Sequence, residues 1–304
     1  MIVVAKEIGM NIYDFIPPIL IRLKTKIIRG SVNLPKAVPV APMETFSSYK
    51  EAIRTCDQQI FHQNDYVRVI LHKTKLFRDE LSHRSPLLTD GTSTPALAFL
   101  GISLILQNNS TELGVIDLGG ACGVQYFVTK MLLRNFIKKD IKLRWHVVET
   151  PATVEQSKEL ENEELKFFSS IEQARDALGE VDFVHSLGTI QVLPDPRAAV
   201  IELIDCNARF LFLGRVGVTL GNKDVIALHA ANFEMAGPGP FPLPEGVKNQ
   251  EYKVPFTFIP RQEFDQILNS NYAVRAKADD PWGIFAVNDE PIVGLSVLAE
   301  RIDA

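Results

Sequence analysis

Residues 115–126 read Val-Ile-Asp-Leu-Gly-Gly-Ala-Cys-Gly-Val-Gln-Tyr, and this stretch decides the fold. Val115 and Ile116 are the β-branched residues of a buried parallel strand. Asp117 stands at the strand's end, and Gly119, Gly120 and Gly123 follow. Glycines there let the backbone turn sharply and let a ligand approach closely. Phe127, Val128, Met131, Leu132 and Phe136 then recur at helical spacing. A helix that begins there aims its free N–H groups and the positive end of its dipole at the turn. The order strand, glycine turn, helix predicts a small-molecule site at the carboxyl end of a strand in an open α/β sheet.

Two ligands compete for that turn, and a purely structural turn stays open beside them. A dinucleotide fingerprint, G-x-G-x-x-G, fits poorly, because from Gly119 its later glycine positions hold Ala121 and Val124. The pattern D-x-G-x-G-x-G fits better through Asp117, Gly119 and Gly123, with Ala121 in the middle position and Gly120 beside it. This second pattern resembles the first motif of the class I S-adenosylmethionine-dependent methyltransferases.

The next strand is expected over Lys142 to Val148, with Glu149 at its tip. An acid at that place accepts hydrogen bonds from ribose hydroxyls; the alternative is a solvated strand-end acid. Further strands are expected over Leu165 to Phe168, Val181 to Ser186 and Arg209 to Arg215. Strands alternating with helical patterns imply a Rossmann-like, doubly wound and mostly parallel sheet, preceded here by a helical region.

The ordered set I-D-L-G-G-A-C-G, W-H-V-V-E-T-P, D-F-V-H-S-L-G-T-I-Q-V-L-P-D-P and F-L-G-R is similar to a family of methyltransferases associated with bacterial surface-polysaccharide clusters. The upstream T-F-S-S-Y-K-E-A-I-R extends the similarity, which runs from about Pro17 to the end. The resemblance implies S-adenosylmethionine as cofactor and a small-molecule acceptor, with a sugar or glycan precursor as the class to try first. It implies cofactor contacts at Asp117, Gly119, Gly120, Gly123 and Glu149, with Ser170 and Ile171 on the adenine side and Ser186 and Leu187 on the methionine side. It also implies a terminal antiparallel hairpin, and N-terminal helices covering the cofactor.

His185 and His229 are the candidate general bases, and His146, inside a strand, is expected to be structural. Arg215 is expected either to hold an anionic acceptor or to form a structural ion pair. Cys122 reads as a small residue tolerated beside the cofactor rather than a nucleophile. No metal-ligand cluster is read from the sequence. A cofactor-binding protein that has lost transfer chemistry remains an alternative, as does a nicotinamide-dependent oxidoreductase.

The chain has 304 residues, a formal net charge of −5, 46% hydrophobic and 23% charged residues, which suits an ordinary globular protein and disfavours a nucleic-acid partner. Cys56, Cys122 and Cys206 are far apart and form no C-x-x-C, as expected in a reducing cytoplasm. Residues 1–44 are expected to be an amphipathic basic segment and a proline-containing linker. Peripheral membrane contact, or docking on a second copy, is open for them. Residues 45–110 are expected to form a helical cap region that offers Tyr66, His83 or Arg84 to the site, and residues 111–304 the cofactor domain. The stretch from Glu234 to Pro255, with Pro238, Pro240, Pro242 and Pro244, is expected to be a long loop shaping the acceptor site.

Overall fold

The computed structural model describes residues 43–56, 60–83, 93–107, 111–137 and 140–302. The expected N-terminal segment and nearly all of its linker lie outside them, as do Arg84 and the side chain of His83. Among the described residues no helix is long and apolar enough to cross a membrane.

The quoted stretch forms β2 (Glu112–Leu118), the glycine turn and helix α4 (Val124–Phe136). Next come β3 (Lys142–Val148), α5 (Pro151–Ser157), β4 (Leu165–Phe168), α6 (Ile171–Leu178), β5 (Phe183–Leu187), α7 (Pro196–Ile204) and β6 (Phe210–Thr219). The chain continues through β7 (Val225–Asn232), β8 (Glu251–Pro260), α8 (Arg261–Asn269), β9 (Tyr272–Val287) and β10 (Glu290–Arg301). Ahead of β2 stand β1 (Thr45–Phe46), α1 (Tyr49–Ile53), α2 (Asn64–His83) and α3 (Ser93–Leu106).

The main sheet runs β4-β3-β2-β5-β6-β10-β9. Its first four pairings are parallel, whereas β10 is antiparallel to both of its neighbours. The expected terminal hairpin is therefore present, but with longer strands. The segments Tyr272 to Ala276 and Gly283 to Val287 belong to one strand, kept in register with β10 by bulges.

Alternation along the strands divides the core into two layers. On one face Leu113, Val115, Trp145, Phe183 and Phe212 pack with Ile102 of α3 and Tyr126 of α4. On the other, Ile116, Leu118, Val184, Leu211 and Leu213 pack with Ala174 of α6, Val200 of α7 and Phe264 of α8. Helices on both faces of a mostly parallel sheet make the doubly wound α/β arrangement. Within the expected cap region, α3 packs instead against the sheet. A side chain on Gly101 would meet Leu298 Cδ1 at 2.7 Å and Phe183 Cε2 at 2.8 Å.

Two expectations beyond β5 need correction. β6 does not stop at Arg215 but continues to Thr219, where Val218 and Thr219 pair with Ile259 and Pro260 of β8. The region read as a loop to Pro255 ends earlier, because β8 begins at Glu251 and pairs along its length with β7. Pro255 is tolerated because β8 meets β6 only at its last residues, so its missing N–H falls where no second strand needs a donor. β1 adds to the far side of β7, which makes a small second sheet, β1-β7-β8. Ser48 caps α1, its side chain accepting from Glu51 N at 3.2 Å.

Candidate active site

Three left-handed residues shape the turn after β2: Gly119 (φ 69°), Ala121 (φ 51°) and Gly123 (φ 81°). Ala121 thus takes the backbone conformation that glycine would otherwise supply. Gly123 precedes the first turn of α4, and among the described residues no side chain caps that helix. Its first N–H groups are thereby left for a ligand. A Cβ on Gly119 would lie 2.0 Å from Thr189 Oγ1, and one on Gly120 would lie 2.3 Å from Asp117 Oδ2. Both positions admit only glycine.

Asp117 is fully buried beneath this turn. His185 Nδ1 donates to its Oδ1 at 2.8 Å, and Trp145 Nε1 donates to its Oδ2 at 3.1 Å. Strand register makes the cluster: Asp117 is the direct partner of His185 across β2 and β5, and Trp145 lies on the same face of the next strand. The carboxylate therefore supports the turn from below rather than facing its open side. His185 is 2% exposed and stacks on Phe212 with ring centroids 5.2 Å apart. The catalytic role expected of His185 does not fit that position, since an enclosed ring has no access to an acceptor's proton. His146 is structural, as expected, with Nδ1 2.9 Å from Ala174 O and its ring against Phe168.

Glu149 is the acid on the open side. Its Oε1 accepts from Ala121 N at 3.1 Å and its Oε2 from Thr150 N at 2.8 Å. Each oxygen keeps a further acceptor position. Burial raises its pKa above the usual carboxylate value, and the nearby Asp117 charge adds to the rise against the two backbone donors. The Cys122 thiol is pushed up to about 12, chiefly by burial. Such a thiol carries too little thiolate to act as a nucleophile.

Ser170 caps α6, its Oγ accepting from Gln173 N at 3.2 Å, and Ile171 is buried behind it. Ser186 is buried, its Oγ donating to Leu118 O at 3.0 Å, and Leu187 is half-buried beside it. Arg215 is the outlier of β6: it has φ 53° at a bulge where Gly214 and Arg215 together face Ser296 of β10, and its N–H donates to Ser296 Oγ at 3.2 Å. A non-glycine residue in that region stores strain and is found disproportionately at functional sites.

The second sheet and α2 cover one side of this edge. Register puts Ala227, His229 and Ala231 of β7 on one face with Tyr252, Val254 and Phe256 of β8. His229 stacks on Phe256 at 4.7 Å, and burial lowers its pKa. Tyr66 of α2 meets Phe61, Tyr252 and Phe233 edge-on at 5.5, 5.6 and 6.1 Å. Its phenol is held well above its ordinary pKa by burial, with Tyr252 and Glu149 adding to the shift.

Sequence reasoning missed the residues that tie these parts together. Thr189 fills the space over Gly119. Gln191, 1% exposed, donates from Nε2 to Gly188 O at 3.2 Å. Lys73 is fully buried and donates to Glu234 O at 2.6 Å and Phe233 O at 3.4 Å, so α2 holds the start of the proline-rich loop. Burial lowers the Lys73 pKa, against a smaller opposing effect of Glu234. A charged residue within the polar-apolar pattern of α2 gives no sign in sequence that it is enclosed.

No protein-family model and no curated protein matches the chain. Among solved structures it is similar to an S-adenosylmethionine-dependent methyltransferase from Clostridium acetobutylicum, at 11% identity over 76% of this chain and 98% of the other, with a TM-score of 0.41. It is also similar to a sugar N-methyltransferase from Streptoalloteichus, at 13% identity over 70% and 88%, TM-score 0.41. An amino pentose methyltransferase from Micromonospora echinaspora matches at 14% identity over 72% and 100%, TM-score 0.38. At these identities and TM-scores the likeness assigns no activity to this chain.

Proposed function

We propose that this protein transfers a methyl group from S-adenosylmethionine to a small-molecule acceptor. The observation that carries the reading is the sheet order β4-β3-β2-β5-β6-β10-β9 with β10 antiparallel, the ending expected of class I methyltransferases, joined to a glycine turn at β2. A dinucleotide fold of the usual kind continues in parallel order instead.

The residues fit the cofactor. Glycine-only positions and an uncapped helix N-terminus leave a backbone cradle, and Glu149 keeps acceptor positions for ribose hydroxyls. Ser170 and Ile171 border the adenine side, and Ser186 and Leu187 the methionine side. Asp117 and His185 are positioning residues that fix the turn from beneath. When bound, the cofactor supplies an electrophilic methyl on a sulfonium. The chain's own work is to hold the acceptor atom in line, roughly 3–3.5 Å from the reacting carbon, and to take up the acceptor's proton. His229, neutral at physiological pH because burial lowers its pKa, is the base we assign. Arg215 binds an anionic group of the acceptor. A sugar or glycan precursor is the acceptor class, carried by the sequence resemblance.

The test is titration calorimetry with S-adenosylmethionine on the wild type and Glu149→Ala, followed by methyl-label transfer to a panel of amino sugars and nucleotide sugars. Saturable binding that weakens in the variant, then label in a sugar, supports the reading. A folded wild type that binds NAD and ignores S-adenosylmethionine overturns it.

A further inference from the structure

The carboxyl ends of β2 and β5, beside the middle of β6, are lined by polar groups that are almost all engaged. Both Asp117 oxygens accept from His185 and Trp145. Ser186 Oγ donates to Leu118 O, and Thr189 Oγ1 donates to Leu187 O at 3.4 Å. Gln191 differs. Its Oε1 is buried and receives no hydrogen bond from any described residue. The orientation of its amide is fixed, because Nε2 faces Gly188 O, which can only accept. A buried amide oxygen without a donor costs free energy and calls for a partner that the chain alone does not provide.

Gln191 also stands at a telling place. It lies in the single helical turn Ile190–Val192 directly after β5. The Gly188 that it grips donates its own N–H to Gly214 O in the middle of β6, at 2.8 Å, and the adjoining Thr189 covers Gly119 of the glycine turn. Glu149, on the opposite side of β2, marks the ribose side. The Gln191 amide therefore belongs to the reacting side, between the turn and the mid-strand bulge of β6 that carries Arg215.

We propose that Gln191 Oε1 faces the cationic sulfonium centre and its methyl group, as a neutral oxygen that stabilises positive charge there. The inference rests on the methyltransferase reading above. It makes Gln191 specific for the charged cofactor over its neutral product, S-adenosylhomocysteine. The Nε2 contact to Gly188 keeps the oxygen in place, and the absence of an ionisable group leaves proton uptake to another residue.

The test uses S-adenosylmethionine and S-adenosylhomocysteine as paired probes, with their affinity ratio as the readout. A loss of packing moves both affinities together and cancels in the ratio. At mildly alkaline pH, Gln191→Glu should raise the preference for the cation by about tenfold or more, because a carboxylate would stand beside it. Gln191→Leu should move the ratio the opposite way, by about threefold to tenfold. The leucine variant decides the matter if a buried carboxylate prevents folding. A ratio unchanged from wild type in the folded variants overturns the role of Gln191 while leaving the methyltransferase reading intact. Failure of the wild type to bind either probe removes that reading, and the inference with it.

Discussion

The two sides of the glycine turn are built on different terms. On the β3 side, recognition is made from backbone: left-handed residues at Gly119, Ala121 and Gly123, an uncapped helix end, and one acid, Glu149, held by two N–H groups. On the β6 side it is made from side chains brought from far along the sequence: His229 on β7, Tyr252 on β8, Tyr66 on α2 and Lys73 beneath the proline-rich loop. A backbone cradle suits a ligand that never changes. A side-chain cap on an added sheet suits a ligand that differs from one protein to the next. On the proposed reading the cofactor side and the acceptor side are separable, and substitutions on one side should leave the other readout intact.

The largest expected effect lies on the cap side. His229→Ala should reduce turnover about a hundredfold or more, with S-adenosylmethionine affinity within about twofold of wild type. Since burial lowers the His229 pKa, the neutral base persists to lower pH, and the acidic limb of the wild-type rate profile should fall below the ordinary histidine value. Loss of cofactor affinity in this variant would break the separation. Gly119→Ala should do the reverse. Its Cβ would strike Thr189 Oγ1 at 2.0 Å, with φ 69° disfavoured for alanine, so binding measured by calorimetry should fall about a hundredfold.

Glu149→Gln is the sharper probe of the same side, since it keeps shape and removes charge. Cofactor affinity should drop about tenfold to thirtyfold. In the wild type the raised Glu149 pKa means that protonation begins at a higher pH than for an ordinary glutamate. Affinity titrated against pH should therefore decline early on acidification, and the decline should vanish in the variant. The smallest effect is expected for Lys73→Met, which removes the clasp on Phe233 O and Glu234 O. Amide hydrogen exchange in residues 233–237 should quicken by about tenfold, with cofactor binding unchanged.

The same division explains what the sequence made legible. β3 and β4 fall where the sequence placed them, and the turn is where the glycines are, because local backbone demands leave local marks. Glu149 was visible as the acid closing a strand. The surroundings of His185 were not legible because they depend on register: it is the partner of Asp117 across two strands far apart in the chain. β8 was hidden by Pro255, which reads as a breaker until the strand is seen to lack a second neighbour there. Lys73 and Gln191 are ordinary polar residues in sequence, and only tertiary packing shows that both are enclosed.

The antiparallel insertion of β10 has a consequence for the order of events during synthesis. β6 and β10 lie side by side, yet the chain must first produce β7, β8, α8 and β9 before residues 290–301 exist. Throughout that interval the nascent sheet carries an open edge along β6, the strand that holds Arg215. The inserted β7–β8 sheet is made within this interval and pairs with the far end of β6. The cap is thus translated before the seam that completes the body beneath it.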